Sequence, residues 1–325
     1  MPTTKRPRFG SMQFWPRKRA KRSVARVRSW AETKDAQPLA TAGYKAGMTH
    51  VTATDTRKSS TSKNQAITIP ATIIECPPIR IYSARGYKPN GYGTGVAKEV
   101  VLSTEKDLAR KVPQAKKEGK LDDLKPEEYE DITIICHTQP GKIGFKKSPD
   151  LFEVKLGGSN EDKLQYIKEH AGKDIPVTDL YQEGDYMDIH AVTKGKGFQG
   201  AVKRFGIGLT PHKSEKGRRT PGSLGGWKGH AHFMYRVAHA GQTGYHQRVQ
   251  YNNQILKISD NPEEVNPKGG LVNYGNVKTT YILVKGTVPG AKKRAIIMAK
   301  PVRPDAKAHP LPAIKAISTE SKQGR

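Results

Sequence analysis

The stretch from Lys194 to Arg248 constrains this chain more than any other, because it cannot bury itself. It opens KGKGFQGAVKRFG, runs through PHKSEKGRRTPGSLGGW and closes with RVAHAGQTGYHQR. Lys194, Lys196, Lys203, Arg204, Lys213, Lys216, Arg218, Arg219, Lys228, Arg236 and Arg248 are set against a single acid, Glu215. Its glycines and threaded aromatics (Phe198, Phe205, Trp227, Phe233, Tyr235, Tyr245) predict an extended excursion, ordered against a polyanion that carries stackable bases.

The whole chain leans the same way. Its 57 lysines and arginines against 30 acids give a formal charge of +27 and a pI near 10.0, far beyond what solubility needs, and point to nucleic acid or an anionic membrane. No apolar run approaches the ~18 residues of a spanning helix, and Gly and Pro break up the basic segments, so a membrane partner is not expected. The N-terminus, MPTTKRPRFGSMQFWPRKRAKR, has no apolar region of the secretory kind, and Pro2, Pro7 and Pro16 interrupt the amphipathic helix a transit peptide needs. Cys76 and Cys136 are isolated within apolar runs, which offers neither a disulfide framework nor a thiolate metal site and suits a reducing, cytosolic setting.

Hydrophobic residues make up only 35% of the chain, so part of it must lie outside any core. Residues 1–35 read as a basic arm, with ten basic side chains and no acid before position 31. Residues 36–102 (GYKAGMTHVTATD, AITIPATIIECPP, IRIYSARGYK, AKEVVL) alternate like strands. Residues 103–175 are more acidic and predict an α/β insertion. STEKDLARKV and DDLKPEEYE read there as charged helices, and GSNEDKLQYIKEHAG as a helix capped at Ser159 or Asn160. Strands return over 176–205 (GDYMDIHAVTK) and 251–300, on either side of a basic finger at 206–250, and a Pro-, Ala- and Lys-rich tail follows at 301–325. The fold expected is mainly β with an α/β insertion: a small closed barrel that carries long basic extensions.

Chemistry-bearing constellations are weak. Gly195, Gly197 and Gly200 match GxGxxG, but AVKRFGIGLTP, broken by glycines and Pro211, follows instead of the helix and second strand of a dinucleotide site. The histidines His212, His230, His232, His239 and His246 lie in Gly-rich sequence with one acid nearby, so no metal is expected. There is no nucleophile elbow and no sign of a cofactor or small-molecule substrate. Trp227, in SLGGWKGHAH, has no local core for its ring; either it folds back onto the barrel or it wedges against RNA.

In GSMQFWPRKRAKR, RVRSW, GYKAGMTH, GDYMDIHAVTKGKGFQGAVKRFG, PHKSEKGRRTPGSLGGW, AGQTGYHQR, NPKGG and VKGTVPGAKKR, in this order and almost end to end, the chain resembles the universal large-subunit ribosomal protein number three, the L-three family, in its archaeal form. The resemblance implies a translation-factor-like barrel with extensions that penetrate large-subunit rRNA. It also implies neighbouring large-subunit proteins as partners, a place in the cytoplasmic ribosome, and a central finger that approaches the peptidyl-transferase region with Trp227 near its tip. The rRNA-binding residues expected are Arg17, Lys18, Arg19, Lys21, Arg22, Arg26 and Arg28 of the arm, with Lys194, Lys196, Lys203, Arg204, His212, Lys213, Lys216, Arg218, Arg219, Trp227, Lys228, Arg236, Tyr245, His246 and Arg248. An RNA-modifying or processing enzyme with a basic groove is the alternative, separable by a turnover assay on RNA. An architectural DNA-binding protein is a third, separable by the salt lability of its binding. Trp227→Ala is expected to slow translation while leaving the melting temperature of the isolated protein within a few degrees of wild type; a large thermal loss instead identifies Trp227 as a core residue.

Overall fold

Small residues along Ala40–Thr54 (β1) let one long strand serve three neighbours. The computed structural model describes residues 9–113, 115, 117–215, 217–225, 237–305, 309–321 and 323. β1 pairs antiparallel with β2 (Ala66–Glu75) along most of its length, with β12 (Ala295–Ala299) over Ala40–Tyr44, and with β13 (Ala313–Ile317) over Val51–Thr54. At Gly43 even a methyl group is excluded, since a Cβ there would stand 2.6 Å from Ile74 Cγ2. With β7 (Tyr186–Val192), β10 (Gln247–Ser259) and β11 (Tyr281–Lys285) these strands form a seven-stranded sheet, ordered β12-β7-β10-β11-β2-β1-β13, in which β12 also pairs with β1. The chain is thus mainly β, as its alternating runs predict.

Two strands predicted within residues 36–102 lie outside this sheet. IRIYSARGYK and AKEVVL form β3 (Ile79–Asn90) and β4 (Gly93–Val101), which join β5 (Asp131–Thr138) and β6 (Leu151–Lys155) in a separate four-stranded sheet ordered β4-β3-β5-β6. Against it lies α1 (Asn160–His170), whose capping box is complete: Ser159 Oγ accepts from the Asp162 amide, and the Asp162 carboxylate accepts from the Ser159 amide. The charged helices expected nearby are only 3-10 turns, at Lys106–Arg110, Leu121–Asp123 and Pro126–Glu128. Pro126 interrupts the second of these segments, and too few apolar residues are present for an α-helical stripe.

One apolar core runs from Ile189 and Ile297 of the larger sheet to Ile81 and Ile134 of the smaller, and on to Leu164 and Ile167 of α1. Polar bonds involve two tyrosines of a second apolar cluster, Tyr44 and Tyr274. Tyr44 Oη contacts Thr138 Oγ1 at 2.7 Å and donates to Asp150 Oδ2 at 3.0 Å. The fully buried Glu75 accepts from the amides of Lys278 and Thr279 and from Tyr274 Oη. Cys76 and Cys136 are buried free thiols, both pushed up by burial.

Met187, Ile189 and Ala191 alternate with Asp188 and His190, yet both faces of β7 are buried. The cover comes from far along the chain: the Asn252 and Val302 amides donate to the two oxygens of Asp188. The tail then continues to β13, whose pairing with β1 makes it part of the sheet.

By contact the chain forms two compact units, one of residues 1–21 and 193–247, the other of residues 22–192 and 248–325. Within the larger unit, His190 is buried with neither ring nitrogen hydrogen-bonded among the described residues, and burial holds its pKa below the usual 6.5 despite the charge of Asp188. His137 is likewise buried, and desolvation lowers its pKa although Glu105 opposes the shift. Below about pH 6.5 the unfolded chain therefore takes up protons that the folded chain refuses, so stability falls as pH falls through that window. The melting temperature should drop between about pH 7 and about pH 5. His190→Leu should flatten that drop, as followed by calorimetry.

Candidate nucleic-acid interface

The smaller unit is built on a ladder at the base of the excursion. β8 (Phe198–Gln199) pairs with β9 (Gly241–Gln242), and around them the Thr193, Lys196 and Thr243 amides donate to the carbonyls of His246, Thr243 and Gly197, each at 2.9 Å. Gly244 (φ +70°) makes the turn possible; a Cβ there would meet the Lys194 carbonyl oxygen at 2.1 Å. Between the rungs sits α2 (Ala201–Phe205), a short helix where the GxGxxG argument leaves none. Gly206 ends it in the left-handed conformation.

The arm, which the sequence suggests is a separate extension, belongs to this unit. The Ala20 amide donates to the Tyr245 carbonyl at 2.8 Å, and His246 Nδ1 lies 2.9 Å from the Lys18 carbonyl, to which it donates. Phe205, expected from the sequence among the aromatics that stack on bases, is instead the buried centre. The Arg17 guanidinium lies 4.3 Å from its ring centroid and that of Arg204 5.0 Å, while Trp15 is tilted against it at 6.1 Å. Arg204 ties three segments together through the carbonyls of His239 (2.9 Å), Gln242 (3.1 Å) and Arg17 (3.3 Å). Burial, and then the nearby Arg17 charge, pull its pKa below the usual arginine value.

Several predicted contact residues thus hold the unit together. Arg17, Arg204, Tyr245 and the buried His246 make the bonds or ring contacts just given, and Arg19 lies 5.3 Å from the Tyr245 ring. Lys18, Arg19, Lys21, Lys194, Lys196 and Lys203 are exposed around this base. Farther along, His212, Lys213, Arg218 and Arg219 are exposed where the Thr210 amide donates to the Arg218 carbonyl. Lys216, Trp227, Lys228 and Arg236, with His230 and His232, lie outside the described residues. In the larger unit Arg22, Arg26 and Arg28 are exposed, the last two alternating with the buried Ala25 and Val27, and Arg248 is half-buried. Trp30, at the end of the basic arm, is partly buried against the apolar core. The described residues contain no group of three His, Cys, Asp or Glu placed to hold a metal ion.

Seventeen lysines and arginines thus share one unit with Glu215 as its sole acid. Residues 1–324 match the family model described as ribosomal protein L3. The chain belongs to the ribosomal protein L3 family. Among relatives named large ribosomal subunit protein uL3, that of Methanosphaera stadtmanae is 44% identical over 98% of both chains. The Archaeoglobus fulgidus relative is 43% identical over 98% of this chain and 99% of its own, and the Methanocaldococcus jannaschii relative 41% over 98% of both. Within this L3-family chain, the ladder depends on Gly244. Gly244→Ala should raise amide exchange at Lys196 and Thr243 by about tenfold or more, as strain of about 1–3 kcal/mol opens the base. Exchange within β5 should not change.

Proposed function

We propose that this chain is a structural, non-catalytic constituent of the large ribosomal subunit, in the cytoplasm, where it binds large-subunit rRNA beside other ribosomal proteins and supports assembly and translation. The observation that carries this is the smaller unit, in which the arm and the base of the excursion share one acid-poor cluster around Phe205. Such a surface is stabilised by phosphates, whose bound counterions it releases. Lys18, Arg19, Lys21, Lys194, Lys196 and Lys203 supply the outward charge at that base, with His212, Lys213, Arg218 and Arg219 along the finger. Arg17, Arg204, Tyr245 and His246 position these groups and bind rRNA through the surface they create. The finger, residues 206–250, reaches toward the peptidyl-transferase centre with Trp227 near its tip, a role that rests on the family resemblance.

We read the larger sheet as a closed barrel. The extra pairing of β12 with β1 supports closure, since it joins the strand at one end of the order to the strand next to the other end. Arg22, Arg26, Arg28 and Arg248 supply further basic groups on the larger unit. Deletion of residues 210–245 should leave a soluble protein that enters large subunits poorly, measured by sedimentation through a high-salt gradient. Normal subunit assembly and peptidyl transfer with the deletion would falsify the proposal.

A further inference from the structure

Where β3 and β4 extend beyond the four-stranded sheet, they form a ribbon exposed on both faces. From Lys88 to Glu99 every residue is exposed except the half-exposed Gly95, so this chain covers neither side. Register runs from Tyr87 opposite Val96 to Asn90 opposite Gly93, which leaves Gly91 and Tyr92 as a two-residue tip. Tyr92 has a relative exposure of 104%, and Val96 behind it 50%. The tip backbone is fixed: the Tyr92 amide donates to Asn90 Oδ1 at 3.1 Å, and Gly93 holds φ +134°, which side-chain-bearing residues rarely adopt.

The charge along the ribbon is arranged to leave this ring alone. No acid occurs between Lys88 and Lys98. Both lysines are engaged at the base of the ribbon, Lys88 with Glu128 at 3.4 Å and Lys98 with the Asp123 carbonyl at 2.9 Å. The tip therefore offers an uncharged aromatic face between two glycines, and nothing lies within 4 Å of the positions a Cβ would take on Gly91 or Gly93. A tyrosine that anchors a protein interface is ringed by contacts that exclude water, and this tip has none to offer. A bare ring with open backbone on both sides suits an unpaired nucleobase, which needs one π-face and room for its sugar and phosphate.

We infer that the 88–99 ribbon is a second rRNA-binding element, separate from the arm and finger, in which Tyr92 stacks on an unpaired rRNA base. The inference rests on the chain's place in the large subunit. Large subunits carrying wild-type protein, Tyr92→Ala or Tyr92→Trp would be isolated by sedimentation, probed with base-modifying reagents, and irradiated to map crosslinks by mass spectrometry. In wild-type and Tyr92→Trp particles one base should be protected, and the wild-type particle should give a nucleotide adduct on Tyr92. Tyr92→Ala should raise the reactivity of that base about fivefold or more, the scale of one lost base–aromatic stack. Equal reactivity in wild-type and Tyr92→Ala particles, or a Tyr92 crosslink to a neighbouring protein, overturns the inference and leaves the broader function intact. Failure of the wild-type chain to sediment with the subunit overturns both, and shows before any probing begins.

Discussion

An arginine bonded to backbone carbonyls has its donors satisfied and its charge intact, and the basic unit depends on that distinction. Arg204 gives its hydrogen bonds to His239, Gln242 and Arg17, and Arg17 stacks on Phe205. Pairing either with a carboxylate would have neutralised the charge locally. Carbonyls instead allow the two guanidiniums to be built into the frame while the surrounding field stays positive.

Charge is segregated through the chain accordingly. All but one of the 30 acids lie outside residues 1–21 and 193–247. Many of those in the larger unit engage basic partners within it, as Asp174 does with Arg80 and Lys142. Burial would raise the Asp174 pKa, but hydrogen bonds from Lys142, Arg80 and Gln139 outweigh it and hold the carboxyl at about 2. The larger unit has its own ion pairs, whereas the smaller keeps a strong excess of positive charge.

Sequence legibility followed range. The Ser159–Asp162 cap lies within one turn, and so α1 could be read directly. The alternation of β7 was also plain, but the burial of its polar face was not, because Val302, which covers Asp188, is remote in sequence. Residues 121–128 carry helix-like charge without the apolar spacing a helix must bury, and charge alone misled. At the candidate interface the basic residues were legible and their division of labour was not. Arg17 and Arg204 are 187 residues apart, and neither announces that it will clasp the other's backbone. The clue available was Phe205, an apolar residue in basic sequence with no local partner.

The double use of β1 also sets an order for biosynthesis. β3 to β6 are contiguous in sequence, and their sheet can assemble while the ribosome is still making the rest of the chain. β1 is made early, yet two of its partners, β12 and β13, fall within the last few dozen residues. The edge of β1 that β2 does not cover therefore stays open until translation is nearly over, and closing contacts of such long sequence separation are slow. A nascent chain of this kind holds one open strand edge of small and β-branched residues through most of its synthesis, and its need for a chaperone would be greatest just before release.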